Sequence, residues 1–189
     1  AREAKEREKS GEDKKAEAEG DIKVEDVKVS GVRILEALSA TGLRSIRYWK
    51  EIDEGLIDNI LVNDLDLKAV ETIERNITYN GIDLKSLRPN KGDACDVLYA
   101  NRCLNYNQDV DRGFDVIDLD PYGSAIEFLD GAVQAVSDGG LLCVTCTDKA
   151  ILCGGKNPET CFGKYGSMPL RGAYCHEMAV RIVLHAIHS

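Results

Sequence analysis

The chain has 189 residues, a formal net charge of −9 and a charged fraction of 30%. This length fits one domain with a sizeable core, and the acidic balance argues against a surface devoted mainly to a nucleic-acid backbone. No apolar run is long enough to cross a membrane, and the start lacks the apolar core of a signal peptide.

The first segment, residues 1–30, is predicted to be charged and flexible. It has no large apolar residue before Ile22, so it cannot bury enough surface to offset the entropy of the chain. A linker or insertion inside a longer protein is the alternative interpretation. The folded domain is therefore expected to span residues 31–189.

Beyond residue 30, strand-like and helix-like stretches alternate. Strands are predicted at 32–38, 60–62, just before Gly92, at 114–119 and at 141–147. Helices are predicted at 43–52, 67–80, 93–98, 125–136 and 170–187, with a turn at 138–140 and a loop from 147 to 170. This alternation predicts an α/β fold with a mainly parallel sheet and helices on both faces. Ligands of such sheets bind at the carboxyl ends of the strands, near the point where strand order reverses.

Residues 36–44 follow the first predicted strand and contain small residues that let backbone amides approach a ligand. The loop has one glycine and is not a dinucleotide fingerprint. Glu36 suits an ammonium group and Arg44 a carboxylate, so the two together suit an amino-acid tail. A tight turn that leads into a helix is the alternative.

Acidic residues also follow the second and third predicted strands. Asp64 is placed to accept the hydroxyls of a ribose. Asp93, followed by Ala94, is placed to receive an adenine amino group. An ordinary helix N-cap is the alternative for Asp93.

The segment after the fourth predicted strand, Asp118 to Ser124, carries the clearest chemical signal. An exocyclic purine amino group is a poor nucleophile because its lone pair is delocalised into the ring. The Asp120 carboxylate and the Pro121 carbonyl can accept its two hydrogens, and Tyr122 offers a stacking face for the base. The segment therefore favours amino methylation, in which positioning supplies most of the catalysis. A plain structural turn is the alternative.

The seven cysteines are odd in number and irregular in spacing. This pattern disfavours a disulfide framework and favours reduced thiols in an intracellular protein. Cys143 and Cys146 have a CxxC spacing, but they lie in a predicted strand where residues three apart face opposite sides. We therefore expect structural thiols and no metal site, and we interpret His176 as a packing or surface residue.

Several motifs in chain order resemble the tRNA guanine-26 N2-dimethyltransferases. They lie at residues 36–47, 63–64, 92–94, 118–124, 145–148, 164–166 and 175–182. The resemblance implies a Rossmann-like class I methyltransferase fold, the cofactor S-adenosyl-L-methionine and a tRNA substrate. It also implies that N2-methyl- and then N2,N2-dimethylguanosine form at position 26.

The resemblance and the strand-end interpretation together assign the site residues. The catalytic set is Asp120, Pro121 and Tyr122. The cofactor set is Glu36, Thr41, Gly42, Arg44, Asp64, Asp93, Ala94 and Asp118.

The chain departs from the family at Tyr122, where Phe is common, and at Ala125, where Pro is common. The family's N-terminal arm and C-terminal domain are not in this sequence, so the chain is interpreted as a catalytic-domain fragment. Nucleus, cytoplasm and mitochondrion are equally compatible with it. Two alternatives stay open, namely an N-methyltransferase with another substrate and a non-catalytic RNA-binding relative.

Overall fold

The computed structural model describes residues 31–53, 55–103, 113–154 and 158–188. The charged segment predicted at 1–30 lies outside these residues. The strands are β1 Val32–Glu36, β2 Ile57–Asp64, β3 Leu87–Lys91, β4 Phe114–Leu119 and β5 Val136–Val144. The helices are α1 Leu43–Glu51, α2 Leu67–Tyr79, α3 Ala94–Ala100, α4 Ile126–Ala135, α5 Lys149–Leu152, α6 Pro158–Tyr165 and α7 Cys175–His188.

The five strands form one sheet in the order β3-β2-β1-β4-β5, and every adjacent pair is parallel. Strands β2 and β3 lie on one side of β1, and β4 and β5 lie on its other side. Strand order therefore reverses between β1 and β4. The predicted Rossmann-like α/β fold is confirmed, and the reversal marks the edge where a ligand is expected.

Successive residues of β1 face opposite sides of the sheet and belong to different cores. Ile34 packs in a cluster with Ile46 of α1 and Ile73 of α2. Leu35 packs in a second cluster that includes Leu98 of α3 and Leu129 of α4. The period-two alternation of the strand thus places helices on both faces.

A third, smaller core joins the last helices. Leu152 of α5, Cys161 and Tyr165 of α6 and Ile182 of α7 are all buried together. The partly buried Ile126 of α4 packs against them. This cluster fixes the segment after β5 against the body of the domain.

Two predictions at the fifth strand are wrong in their bounds. Strand β5 begins at Val136, so the predicted turn at 138–140 lies inside it, and the strand ends at Val144 rather than Thr147. Phe114 pairs with Val136 but Val116 pairs with Leu141, so the strand bulges between these pairs. Gly139 has a φ of +73°, which shows that the turn-forming residues bend the strand without ending it.

The loop predicted between residues 147 and 170 is also wrong, because it contains α5 and α6. Helix α7 starts at Cys175 rather than Leu170. Helices α5 and α6 are short, and their few buried apolar side chains pack together with α7 and with Ile126 of α4. Tertiary packing supplies stability that sequence periodicity does not reveal.

All seven cysteines lie within the described residues, and all are free thiols. Cys143 pairs with Asp118 across β5 and β4. Cys146 lies beyond the strand, and its Sγ contacts the Gly123 carbonyl at 3.4 Å and the Tyr165 hydroxyl at 3.4 Å. The two residues therefore have different neighbours. Among the described residues, no helix is both long and apolar enough to cross a membrane.

Candidate active site

The buried side chain of Asn63 ties together the carboxyl ends of three strands. Its amide nitrogen donates to the Ala37 carbonyl at 2.9 Å and to the Gly92 carbonyl at 3.0 Å. Its oxygen accepts from the Asn90 side chain at 2.7 Å. These bonds fix the loops after β1 and β3 to the end of β2, and so hold the floor of the candidate site.

The loop after β1 is shaped by its small residues. Gly42 is the N-cap of α1 with a φ of +70°, and an added Cβ would come within 3.2 Å of the Ile73 side chain. Asp64 holds the loop, because its carboxylate accepts the Ala40 backbone N–H at 2.8 Å and the Asp66 N–H at 2.9 Å. Each carboxylate oxygen of Asp64 therefore already accepts one hydrogen bond from the backbone.

Glu36 is a buried carboxyl group at the end of β1, with an exposure of 5%. It accepts hydrogen bonds from the backbone N–H of Ser45, at 3.1 Å, and from the Ser45 hydroxyl. Burial raises the pKa of Glu36 to about 7, although the Ser45 hydrogen bonds oppose the rise. The group therefore titrates near neutral pH.

Arg44 bridges the carboxylate of Asp118, near the end of β4, and that of Asp120, just after it. One guanidinium nitrogen donates to both oxygens of Asp118, at 2.9 and 2.8 Å, and another donates to Asp120 at 2.5 Å. Tyr48, one turn later on α1, donates its hydroxyl to Asp118 at 2.7 Å. Burial and the Asp118 carboxylate raise the pKa of Tyr48, so this phenol stays a donor at neutral pH.

The turn after Asp120 is held from the segment that follows β5. Gly123, with a φ of +94°, donates its N–H to the Thr147 hydroxyl at 3.0 Å and accepts the Thr147 N–H at 2.9 Å. The Ser124 hydroxyl lies 2.6 Å from that of Tyr165. These contacts leave Pro121 buried and the Tyr122 ring fully exposed, which makes an aromatic face available at the rim.

A cavity of about 570 Å³ opens at this edge of the sheet. It brings together seven of the eleven predicted site residues: Glu36, Thr41, Arg44, Asp64, Asp120, Pro121 and Tyr122. Four predicted residues do not line it. Gly42 caps α1, Asp118 is buried behind Arg44, Asp93 caps α3 through the Cys95 N–H at 2.8 Å, and Ala94 begins α3. Their contact with a cofactor stays a prediction.

A sequence profile of the N2,N2-dimethylguanosine tRNA methyltransferase family matches residues 3–189. The chain belongs to this family. It is 54% identical over 159 residues to tRNA (guanine(26)-N(2))-dimethyltransferase of Schizosaccharomyces pombe, covering 84% of this chain and 27% of that protein. For the Homo sapiens protein of the same description, the identity is 47% over 178 residues, covering 94% and 25%. The chain thus spans about a quarter of the length of these curated relatives.

A solved structure of a similar protein has the same fold. The structure of Trm1 from Pyrococcus horikoshii in complex with S-adenosyl-L-methionine superposes with a TM-score of 0.71 and 35% identity. The match covers 82% of this chain and 42% of that one. These findings confirm the family resemblance seen in the motifs.

Ser45, Tyr48 and Thr147 bind residues of the site through hydrogen bonds but were not among the eleven predicted site residues. Tyr48 lies four positions after Arg44 on a helix, and residues at this spacing share a face. Helical spacing therefore offered a signal for Tyr48. Thr147 lies beyond β5 in the sequence, and nothing local in the sequence indicates that it clamps Gly123.

Proposed function

We propose that this chain provides the catalytic face of an enzyme that transfers methyl groups from S-adenosyl-L-methionine to N2 of guanosine 26 in tRNA. The products are N2-methyl- and N2,N2-dimethylguanosine. The observation that carries the proposal is the single cavity in which Asp120, Pro121 and Tyr122 lie beside Glu36 and Arg44. Membership of the family supports the choice of tRNA guanine as the methyl acceptor.

The cavity fits S-adenosyl-L-methionine in size and in its polar groups. Its volume lies in the usual range for small-molecule sites. Glu36 suits the ammonium group of the amino-acid tail, Arg44 the carboxylate and Asp64 the ribose hydroxyls. The cofactor supplies an electrophilic methyl group on a sulfonium, and the Pyrococcus relative was solved with this molecule.

The residues around Asp120 act by orienting the amino group of the base. The Asp120 carboxylate and the Pro121 carbonyl accept its two hydrogens, so that its lone pair points at the methyl carbon. As the new N–C bond forms, the bond from that carbon to sulfur breaks, and the released proton passes to the Asp120 carboxylate. Tyr122 stacks on the base, and orientation supplies most of the rate enhancement.

The tRNA must present an amino group that lies near paired stems. Turning the base out of its stack costs a few kcal/mol, which the stacking face of Tyr122 partly offsets. Because this chain has a net charge of −9, we propose that phosphate contacts are made mainly by parts of the protein beyond it. The protein then acts in an intracellular compartment that contains tRNA.

The test compares Asp120→Ala with Asp138→Ala, an exposed aspartate in β5, in the protein that contains this chain. With labelled cofactor and unmodified tRNA, we expect Asp120→Ala to lose at least about 100-fold in transfer, since it removes an acceptor used in the transition state. Cofactor binding, measured by calorimetry, should persist. Asp138→Ala should match the unaltered protein in both measurements.

Full activity of Asp120→Ala would refute the role of this carboxylate. Cofactor binding without label in N2-methylguanosine would refute the proposed substrate, and parallel assays with DNA and protein then identify another acceptor. Failure of the unaltered protein to bind the cofactor would favour a non-catalytic relative.

A further inference from the structure

Three metal-ligating side chains meet where the end of α5 approaches the start of α7. Cys153 is the C-cap of α5, while Cys175 and His176 are the first two residues of α7. The two sulfurs and a ring nitrogen of His176 all lie within 4.8 Å of one another. None of the three lines the cavity that contains Asp120.

The spacing of these atoms matches that of ligands around a tetrahedral ion. With a metal–sulfur bond of about 2.3 Å and a metal–nitrogen bond of about 2.0–2.1 Å, tetrahedral ligands lie roughly 3.5–3.8 Å apart. The distance from Cys153 Sγ to His176 Nδ1 is 3.6 Å. The upper bound of 4.8 Å for the set requires only small side-chain rotations to reach the same geometry.

The backbone around the cluster is fixed by contacts that involve no metal. Leu152 and Ile182 are buried in one apolar core, which holds α5 against α7. The guanidinium of Arg171 donates to the carbonyl of Gly154, the residue after Cys153. The ligands are thus brought together by the fold, and an ion would meet a largely formed site.

We propose that Cys153, Cys175 and His176 bind a Zn²⁺-type ion. Two thiolates and an imidazole are soft ligands that select such ions over Mg²⁺ or Ca²⁺. The two thiolates balance the charge of a divalent ion. Because both cysteines are half-buried and His176 is exposed, the fourth coordination position faces solvent and takes water or an external ligand. The ion would link α5 to α7, independently of the proposed methyl transfer.

The test is a Co²⁺ titration of the full chain, stripped of metal by a chelator and kept reduced. Co²⁺ replaces Zn²⁺ at such sites, and its bonds to thiolate give a charge-transfer absorption in the near ultraviolet. We expect one equivalent to bind with this absorption and with the visible bands of a tetrahedral ion. Zn²⁺ added afterwards should displace it and raise the melting temperature.

Matched serine variants locate the site. Cys153→Ser and Cys175→Ser should each lower Co²⁺ affinity on the order of a hundredfold and weaken the charge-transfer band. Cys103→Ser is the control, since Cys103 contacts the Ala135 carbonyl elsewhere in the fold, and it should titrate like the unaltered chain. If a serine variant fails to fold, His176→Gln, at an exposed position, replaces it in the test. This variant should lower the Co²⁺ affinity by a similar factor.

Three results would overturn the proposal. The first is a reduced chain, with its thiols free by chemical titration, that shows no thiolate–cobalt absorption. The second is an unchanged titration in Cys153→Ser, Cys175→Ser or His176→Gln. The third is a Cys153–Cys175 disulfide, found by mass spectrometry, that persists in reductant, because its sulfurs are then unavailable as ligands.

Discussion

Two arginines on α1 show how burial of the paired carboxylate determines how much an ion pair contributes to stability. Arg44 pairs with Asp118, whose side chain is 4% exposed, whereas Arg47 pairs with Glu51, which is 59% exposed. Removing the partner of a buried charge is costly because the remaining charge stays out of water. Removing one half of an exposed pair costs little, since water replaces it.

We therefore expect Arg44→Met to lower the free energy of unfolding by about 3 kcal/mol. Arg47→Met, the matched control on the same helix, should leave the free energy of unfolding almost unchanged, because water takes its place beside its exposed partner. Urea denaturation of both variants measures the difference. Equal losses would show that Asp118 does not depend on Arg44 for its charge.

The pKa of Glu36 predicts a dependence of stability on pH. The folded-state pKa is about 7, raised from the ordinary glutamate value of 4.5 mainly by burial. Between these two values the folded chain binds more protons than the unfolded chain, so the free energy of unfolding falls as pH rises. Above about pH 7 the loss is complete and amounts to at most about 3 kcal/mol.

Glu36→Gln should remove this dependence, because glutamine keeps an oxygen for Ser45 but does not ionise. The quantity to measure is the loss in the free energy of unfolding between about pH 5 and about pH 8. This loss should be smaller in the variant than in the unaltered chain, by about 2–3 kcal/mol. Glu51→Gln, at an exposed glutamate, should keep the original dependence. Parallel pH profiles for the Glu36 variant and the unaltered chain would contradict the raised pKa.

At the scale of elements, the ends of the strands depend on Asn63. In Asn63→Leu the Ala37 and Gly92 carbonyls lose the side-chain donor that they share. Each buried carbonyl left without this hydrogen bond costs about 1–3 kcal/mol of stability. We expect a loss of about 2–5 kcal/mol in the free energy of unfolding, together with weaker cofactor binding. Thermal denaturation and calorimetry measure the two effects.

Asn59→Leu is the matched control on the same strand. The Asn59 side chain donates only to the exposed neighbour Asp58, at 2.7 Å, among the bonds observed. Asn59→Leu should lower the free energy of unfolding by less than about 1 kcal/mol. If the two variants behave alike, the bonds of Asn63 do not hold the strand ends together.

The elements that the sequence predicted well are those with a strong local pattern. Helix α2 was predicted at 67–80 and spans Leu67–Tyr79, because three buried apolar residues recur at helical spacing. Helices α5 and α6 were missed because their apolar residues are few and are buried by packing against distant elements, α7 above all. The start of β5 was missed because a glycine pair inside a strand has the same sequence signal as a turn.

At the scale of the whole molecule, the candidate site was largely predictable because the fold rule points to strand ends. Glu36 and Asp64 are the last residues of β1 and β2, and Asp120 follows β4. Parallel strands bring their carboxyl ends to one edge of the sheet. The cluster of Cys153, Cys175 and His176 followed no such rule. Its residues belong to two helices outside the sheet, and only their packing brings the ligand atoms together.

The alternation of Ile34 and Leu35 along β1 has a consequence for how the molecule opens. One strand contributes to the core on each side of the sheet and lies between β2 and β4. Neither layer of helices can separate fully without exposing this strand, so the two cores melt as one cooperative unit. Backbone amides of β1 would then exchange with solvent only through global unfolding, whereas those of α5 and α6 exchange through smaller local openings.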